Sequence, residues 1–191
     1  MPYAAGTIPT FVKFGPGKLY AGAEGSTEPT DLTTALNAAW TRVGYTDNGS
    51  TFTSTPSFEG VQVAESLLDI AKVQTGLDEQ VEFALAEFHA QNLQRVYNGG
   101  TITASGTGAT AIDKFEPPAF GATLTRIALL WEADDASERW VFRRVLQTGA
   151  IAVARQRGAA KATLPATFSL EPPAAGGKPW MAILKSTATI T

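Results

Sequence analysis

The side chain best suited to acid–base chemistry is His89, the only histidine among 191 residues. An imidazole titrates near neutral pH, which makes it the usual general base. Folding could bring the hydroxyl of Ser66 to it as a nucleophile, and Glu82 with Glu87 could form an acid and base pair. However, His89 stands beside Glu87 just before a predicted helix, a position typical of capping or packing. No pattern around these residues indicates a pocket, so the sequence predicts a protein that is not an enzyme.

The motifs that would hold a cofactor or a metal are incomplete. Lys18 follows Gly15-Pro16-Gly17, but Val12 occupies the first glycine position of the phosphate-loop pattern and Leu19 follows the lysine. The pair Asp134–Asp135 lies between two predicted strands, where acidic residues are typical of turns. The absence of cysteine excludes thiol nucleophiles, disulfides and Cys-based metal sites. The sequence therefore predicts no cofactor and no metal centre.

The overall charge argues against a dedicated nucleic-acid-binding protein. The net charge is -3 and the pI is about 5.2, whereas such proteins carry a basic footprint. Charged residues make up only 17% of the chain, which suits a surface covered by other subunits. Residues 1–6 lack the basic and apolar regions of a secretory signal. The longest apolar run, residues 127–131, is too short to span a bilayer, so we expect folding in the cytoplasm without membrane insertion.

Alternating apolar and polar residues indicate strands through most of the chain. The clearest alternation runs over residues 162–170. One helix is predicted near residues 90–98 and ends at the left-handed pair Asn98–Gly99. A second, weak helical turn is predicted from Asp31 to Trp40, and the Gly- and Ser-rich residues 101–110 indicate a flexible loop.

These elements predict a mainly β fold of antiparallel strands, a sandwich or barrel with one packed α-helix, because strands and helices do not alternate along the chain. We expect a single domain over residues 1–191, with an N-terminal arm at about 1–15 and a C-terminal arm at about 185–191.

A projecting β-hairpin is predicted on either side of residues 66–69. An extended run from Thr51 to Glu65 spans about 50 Å at ~3.3 Å per residue. A compact domain of this size is only about 40 Å across, so the hairpin must project or bend at Pro56 or Gly60. Lys72 is its only lysine, which leaves its edges without the usual charged protection. We expect these edges to pair with another molecule, with Pro56 marking a bulge or an edge strand.

Opposite charges concentrate in two parts of the sequence. Between residues 51 and 88, Lys72 is the only basic residue in an acidic segment, whereas basic residues predominate between 126 and 161. Unlike surfaces on one chain suit head-to-tail assembly. Two solvated surfaces of a monomer are the alternative. The candidates for electrostatic contacts between subunits are Arg126, Arg139, Arg143, Arg144, Arg155 and Arg157.

The order of the features resembles a known family. Residues 40–53 carry the pattern W-x-x-x-G-Y-T-x-x-G, which leads into a strand rich in Thr and Phe. An acidic hairpin, the strand Val81–Phe88 and the helix follow. The later part of the pattern consists of Ile127–Glu132, Arg139–Arg143 and Ala162–Leu170. Over residues 10–185 this series is similar to the major tail tube protein of long-tailed, siphovirus-type bacteriophages.

The resemblance implies a structural virion protein whose hexameric rings share one inner β-barrel and stack into a tail tube. Such a tube holds the tape-measure protein during assembly and later delivers double-stranded DNA into the host without sequence-specific binding. The further partners that it implies are the tail terminator and the distal tail or baseplate proteins. Assembly in the bacterial host cytoplasm and a final location in the virion tail also follow from the resemblance.

Mapped onto this chain, the resemblance assigns roles to the hairpin. The inter-ring stacking loop is Glu65, Ser66, Leu67, Leu68 and Asp69. The lumen-facing candidates are Thr53, Thr55, Ser57, Lys72 and Gln74. The residues expected in the protomer core are Phe52, Phe58, Val73, Phe83 and Leu85. A wall of small polar and acidic side chains makes few phosphate contacts, so a duplex should slide along it.

Other functions stay open at this stage. The same class of fold could form the inner tube of a contractile tail or of a secretion or injection device, or a tail connector or head-decoration protein. A β-sandwich carbohydrate-binding module would require an exposed aromatic face, for which Trp40, Trp131, Trp140 and Trp180 are the candidates. A hydrolase is the most distant alternative, given one histidine and no cysteine.

Overall fold

The computed structural model describes residue 15 and residues 17–65, 67–153 and 162–185. Within these ranges the chain is mainly β, with ten strands and one α-helix. The elements are β1 (Gly17–Ala23), β2 (Thr41–Gly44), β3 (Thr46–Val61), β4 (Ala71–Leu85), α1 (Ala90–Val96), β5 (Thr101–Ser105), β6 (Ile112–Glu116), β7 (Ile127–Ala133), β8 (Glu138–Gln147), β9 (Leu164–Leu170) and β10 (Trp180–Leu184). The predicted terminal arms lie outside the described residues except at residues 15 and 185, so they stay predictions.

The main sheet has eight strands in a barrel-like arrangement, which we call the barrel, and its two end strands meet in the chain without pairing through a ladder. Its antiparallel strands follow the order β2-β1-β7-β8-β9-β4-β3, and β10 pairs with the first half of β8. The end strands β2 and β3 are consecutive in the chain with only Tyr45 between them. The Ala86 amide donates to the Tyr45 carbonyl at 2.8 Å and holds this junction against the end of β4. The predicted mainly β, antiparallel fold is confirmed.

The barrel core is built from alternate residues of facing strands. Val81, Phe83 and Leu85 of β4 are buried, and they pair in register with β9, whose inward side chains are also buried. The Phe83 and Phe168 rings stack with centroids 5.6 Å apart. Burial of such side chains contributes roughly 1.5–3 kcal/mol each, which makes this alternation the main source of stability.

The helix α1 ends where the sequence predicts. Asn98 and Gly99 adopt positive φ values of 54° and 129°, which stop the helix in the left-handed region. The buried Asn98 amide also fixes the helix to the sheet, because it donates to the Gln147 carbonyl at 2.7 Å and accepts from the Gln147 amide at 2.9 Å. His89 is the N-cap residue, but its side chain makes no capping hydrogen bond.

Two local predictions are wrong. Asp31 accepts hydrogen bonds from the Thr33 and Thr34 amides, as an N-cap residue would, but residues 31–40 form bends and turns instead of a helix. Residues 101–105 form β5, which pairs with β6 in a separate two-stranded sheet against α1. Small residues hid this strand, since they carry little alternation of hydropathy.

Candidate assembly interface

Strands β3 and β4 form a long ribbon that extends beyond the barrel. The two strands pair from Ser50 to Val61 of β3 and again at Thr46, whereas β9 covers β4 only from Gln80 to Leu85. The remaining part of β4, Ala71–Glu79, extends about 30 Å further at ~3.3 Å per residue. The outer edge of β3 has no partner strand among the described residues. Pro56 lies on this edge strand, as predicted, because proline cannot donate to a central ladder.

The ribbon has two chemically different faces. Cross-strand partners project to the same side of an antiparallel pair. The apolar face continues the barrel core and contains the pairs Phe52–Val81 and Pro56–Leu77, together with Phe58. We call the opposite side the polar face; its side chains are Thr51, Thr53, Thr55, Ser57 and Glu59 of β3, Asp78, Gln80 and Glu82 of β4 and, beyond Gly76, the apolar Val73, which pairs with Glu59.

A bulge in β4 separates the predicted lumen-facing residues. Ser57 pairs with Gly76 and Phe58 with Gln74, so one extra residue, Thr75, interrupts the alternation of β4. Beyond it, Gln74 and Lys72 share the apolar face with Phe58 and Gly60. The expectation that Lys72 and Gln74 lie on the same face as Thr53, Thr55 and Ser57 is therefore wrong, since an inserted residue flips every side chain beyond it. Which face lines a lumen stays a prediction.

The residues assigned to the protomer core divide at the same point. Phe83 and Leu85 are buried, and Phe52 is half-buried against Trp140, Phe142 and Trp180. Phe58 and Val73 are 60% and 53% exposed, so their core assignment is wrong for the isolated chain. The reason is that no described element packs over the distal half of the ribbon, the part beyond Glu79.

The tip of the ribbon carries apolar side chains in water. Leu67 is fully exposed and Leu68 is 79% exposed. The Ile70 amide donates to the Val61 carbonyl at 2.9 Å, and the Gln62 side chain donates to Asp69 at 3.2 Å, which closes the turn. Glu65 is exposed, and Ser66 lies outside the described residues. The tip offers a compact apolar and acidic surface; its predicted stacking role stays a prediction.

Four of the six arginines proposed for contacts between subunits form ion pairs within the chain. Arg139 pairs with Glu132, Arg143 pairs with both oxygens of Glu28, and Arg126 and Arg144 share the Glu171 carboxylate. Arg155 and Arg157 lie outside the described residues. These ion pairs neutralise the basic side chains of the sheet within one chain. The excess of basic residues in this part of the sequence therefore no longer indicates a contact between subunits, and such a role for the four described arginines stays a prediction.

The shared carboxylate Glu171 organises this network. Hydrogen bonding from the Arg126 guanidinium lowers the pKa of Glu171, with Arg144 acting in the same direction. Arg144 reaches on to Glu24 at 3.4 Å. Together with the pair formed by Arg143 and Glu28, these contacts fasten the long β1–β2 connection to β8 and β9.

The described residues that were considered for catalysis are not assembled into a site, and Ser66 lies outside the described residues. Glu87 accepts from the Tyr45 amide at 3.0 Å and fills the space beside Gly44, whereas Glu82 is exposed on the polar face. Asp134 forms an ion pair with Lys18 at 3.3 Å. Within the described ranges, no three metal-binding side chains come together. The described part of the chain contains no helix that is long and apolar enough to cross a membrane.

The aromatic side chains form internal contacts. Trp40 is buried, and Trp131, Trp140 and Trp180 are half-buried. The Trp140 and Trp180 rings stack with centroids 5.4 Å apart. The four tryptophans therefore form no exposed platform of the kind that a carbohydrate-binding module would require.

Sequence reasoning missed a buried carboxylate at the root of the ribbon. Glu79 is only 7% exposed and accepts hydrogen bonds from the Trp180 indole at 2.8 Å and the Ser54 hydroxyl at 3.2 Å. Its spacing from Val81 and Phe83 could have indicated this inward position, since alternate residues of a strand share a face.

Comparison with known proteins agrees with this architecture. A search of curated protein sequences finds no match to the chain. The sequence model of a family described as phage tail tube protein matches residues 10–183, nearly the whole chain. The chain therefore belongs to the phage tail tube proteins, structural components of the virion tail that assemble with one another and with other tail proteins.

Proposed function

We propose that this chain forms hexameric rings that stack into a siphovirus-type tail tube, which conducts double-stranded DNA into the host. The observation that carries the proposal is the β3–β4 ribbon, which extends about 30 Å beyond its own barrel. Its outer edge leaves a ladder of backbone donors and acceptors without a partner strand in the described chain. Another strand can pair with such an exposed edge. Because tail tube proteins assemble with one another, we expect that strand to come from a second copy of this chain.

The two faces of the ribbon support one orientation in the ring. The apolar face, with Phe58 and Leu77 more than half exposed, is suited to packing against the neighbouring subunit. The polar face would then line the lumen, which gives Thr53, Thr55 and Ser57 the role that the sequence assigned to them. Lys72 and Gln74 would point towards the neighbouring protomer, because the bulge at Thr75 turns them to the apolar face.

The charge of the polar face suits a conduit. Glu59, Asp78 and Glu82 lie on it, and the only lysine of the ribbon lies on the other face. Lysine and arginine bind DNA by releasing counterions from its phosphates. A lumen without such groups does not retain the duplex, so the DNA can slide.

The ribbon tip and the other tail proteins have separate roles in the proposed tube. The segment Glu65–Asp69 would contact the next ring, where its apolar side chains would be buried. The tape-measure protein would occupy the lumen during assembly in the host cytoplasm. The tail terminator and the distal tail or baseplate proteins would close the two ends.

Electron microscopy of the purified full-length chain tests the proposal. We expect hollow tubes, or rings with six-fold top views, with a bore wide enough for a DNA duplex. Phe58→Asp places a charge on the apolar face and should abolish assembly. Thr53→Asp is the matched control, because it places the same charge on the polar face and should leave the tubes intact. A wild-type chain that stays monomeric at high concentration in all salts would contradict the proposal.

A further inference from the structure

Arg95, in the last turn of α1, lies outside the ion pairs of the described chain. Its side chain is half-buried, and its guanidinium donates to the Asn92 side-chain oxygen at 2.8 Å. No carboxylate pairs with it within 4.0 Å in the described part of the chain, which contains every Asp and Glu of the sequence. Burial lowers the pKa of Arg95. A desolvated cation without a counter-charge is costly, and the four arginines of the sheet all avoid this cost.

Arg95 lines a pocket of about 250 Å³. Gly99 and Gly100 form part of its wall with φ values of 129° and 101°, a conformation that side chains rarely adopt. The pocket therefore keeps bare backbone at this wall. The one large apolar residue of its lining is Ile127, which is half-buried. The surface is thus a mostly polar recess with the positive charge of Arg95 in its wall.

We infer that the Arg95 pocket receives the Glu65 carboxylate from the ribbon tip of a second copy of this chain. The inference rests on the proposed function, which brings the tip of one subunit onto another. Glu65 carries the opposite charge at the exposed end of the ribbon, and the apolar side chains of Leu67 and Ile70 stand close to it in the chain. The tip therefore carries the charge opposite to that of the pocket.

The other acidic residues of the ribbon are less suited to this contact. Glu79 is buried and holds Trp180, and Asp69 accepts from Gln62 within the tip. Glu59, Asp78 and Glu82 lie on the polar face. Glu65 is the remaining carboxylate at the projecting end. Arginine binds a carboxylate through two parallel hydrogen bonds, so the contact would fix the orientation of the tip as well as its position.

A charge-exchange experiment on the full-length chain tests the contact. Glu65→Arg and Arg95→Glu should each raise the critical concentration for tube assembly about tenfold or more, since like charges would meet at the interface. The double variant should return it to within about threefold of the wild type, because the pair is restored with reversed polarity. The matched control is Glu65→Arg with Arg42→Glu, a second arginine outside the ion pairs, which stacks on Tyr45. This control should show no rescue.

Circular dichroism and thermal melting of the monomers report whether the variants fold. If Arg95→Glu does not fold, Arg95→Gln replaces it, and Glu65→Arg with Arg95→Gln should assemble better than Glu65→Arg alone. Wild-type tubes without rescue in either pair would overturn the Arg95 contact and leave the tube function intact. Failure of the wild type to form any ring or tube would overturn the proposed function, and the contact with it.

Discussion

The two halves of strand β4 carry similar alternations of apolar and polar residues but have opposite environments. In the half that pairs with β9, Val81, Phe83 and Leu85 are 2%, 7% and 1% exposed. In the distal half, Leu77 and Val73 are 52% and 53% exposed. The difference lies in the surroundings, because only the first half has a second layer to pack against. The bulge at Thr75 places Leu77 and Val73 on opposite faces of the ribbon, so the distal half offers exposed apolar side chains to another subunit rather than one continuous core face.

The largest effect is expected in the barrel half. Phe83→Ala removes a buried ring that stacks on Phe168 and should lower the free energy of unfolding of the monomer by about 3–5 kcal/mol. Chemical denaturation at a concentration below assembly measures it. A loss of less than about 1 kcal/mol in the free energy of unfolding would show that this half of β4 does not form the core of the barrel.

A smaller effect is expected at the boundary between the halves. Trp180→Phe keeps an aromatic ring beside Trp140 but removes the indole donor to the buried Glu79 carboxylate. We expect a loss of about 1–3 kcal/mol in the free energy of unfolding, because the carboxylate keeps only its Ser54 partner. Denaturation of Trp180→Phe with Glu79→Gln provides the control, since the second change removes the charge that the first leaves unsatisfied. If Trp180→Phe unfolds like the wild type, Glu79 does not anchor the ribbon.

The effect of pH on the free energy of unfolding of the barrel should be smaller than the effect of either substitution. Arg126 and Arg144 lower the pKa of Glu171 below its ordinary 4.5, so the unfolded chain binds the proton more readily. The contribution of Glu171 is therefore present above pH 4.5 and is lost as the pH falls through the lowered pKa. Glu171→Gln should cost about 0.5–1 kcal/mol at neutral pH and flatten this part of the profile. An unchanged acid slope of the unfolding free energy would contradict the prediction.

The smallest effect on the monomer is expected in the distal half. Phe58→Ala removes an aromatic ring of the same size as in Phe83→Ala, yet it should change the free energy of unfolding by less than about 0.5 kcal/mol, since the ring is 60% exposed. Sedimentation should nevertheless show weaker assembly, because the ring is expected to be buried between subunits. A strongly destabilised monomer would show that the distal ribbon folds back onto its own barrel.

Local patterns made part of the fold predictable. The alternation of residues 162–170 predicted the strand that forms β9, and Asn98–Gly99 predicted the end of α1, because strand periodicity and left-handed backbone depend on neighbouring residues. The projecting ribbon was predictable from the length of its extended run. Strand β5 was not, since pairing with β6 stabilises a segment whose own composition is typical of a loop.

The candidate interface was predictable only in outline. The sequence identified the ribbon and its tip, but a single extra residue at Thr75 decides which face carries Lys72 and Gln74. The sheet arginines appeared free for partners until folding paired Arg143 with Glu28, 115 residues away. Arg95 gave no local signal at all.

By itself the sequence determined the β class, the ribbon and the resemblance to the family, because these depend on the order and periodicity of residues along the chain. Only the tertiary structure decided which side chains share a face and which charges neutralise one another. Those properties depend on strand register and on contacts between distant segments, and both are set by packing the whole barrel rather than by any segment alone.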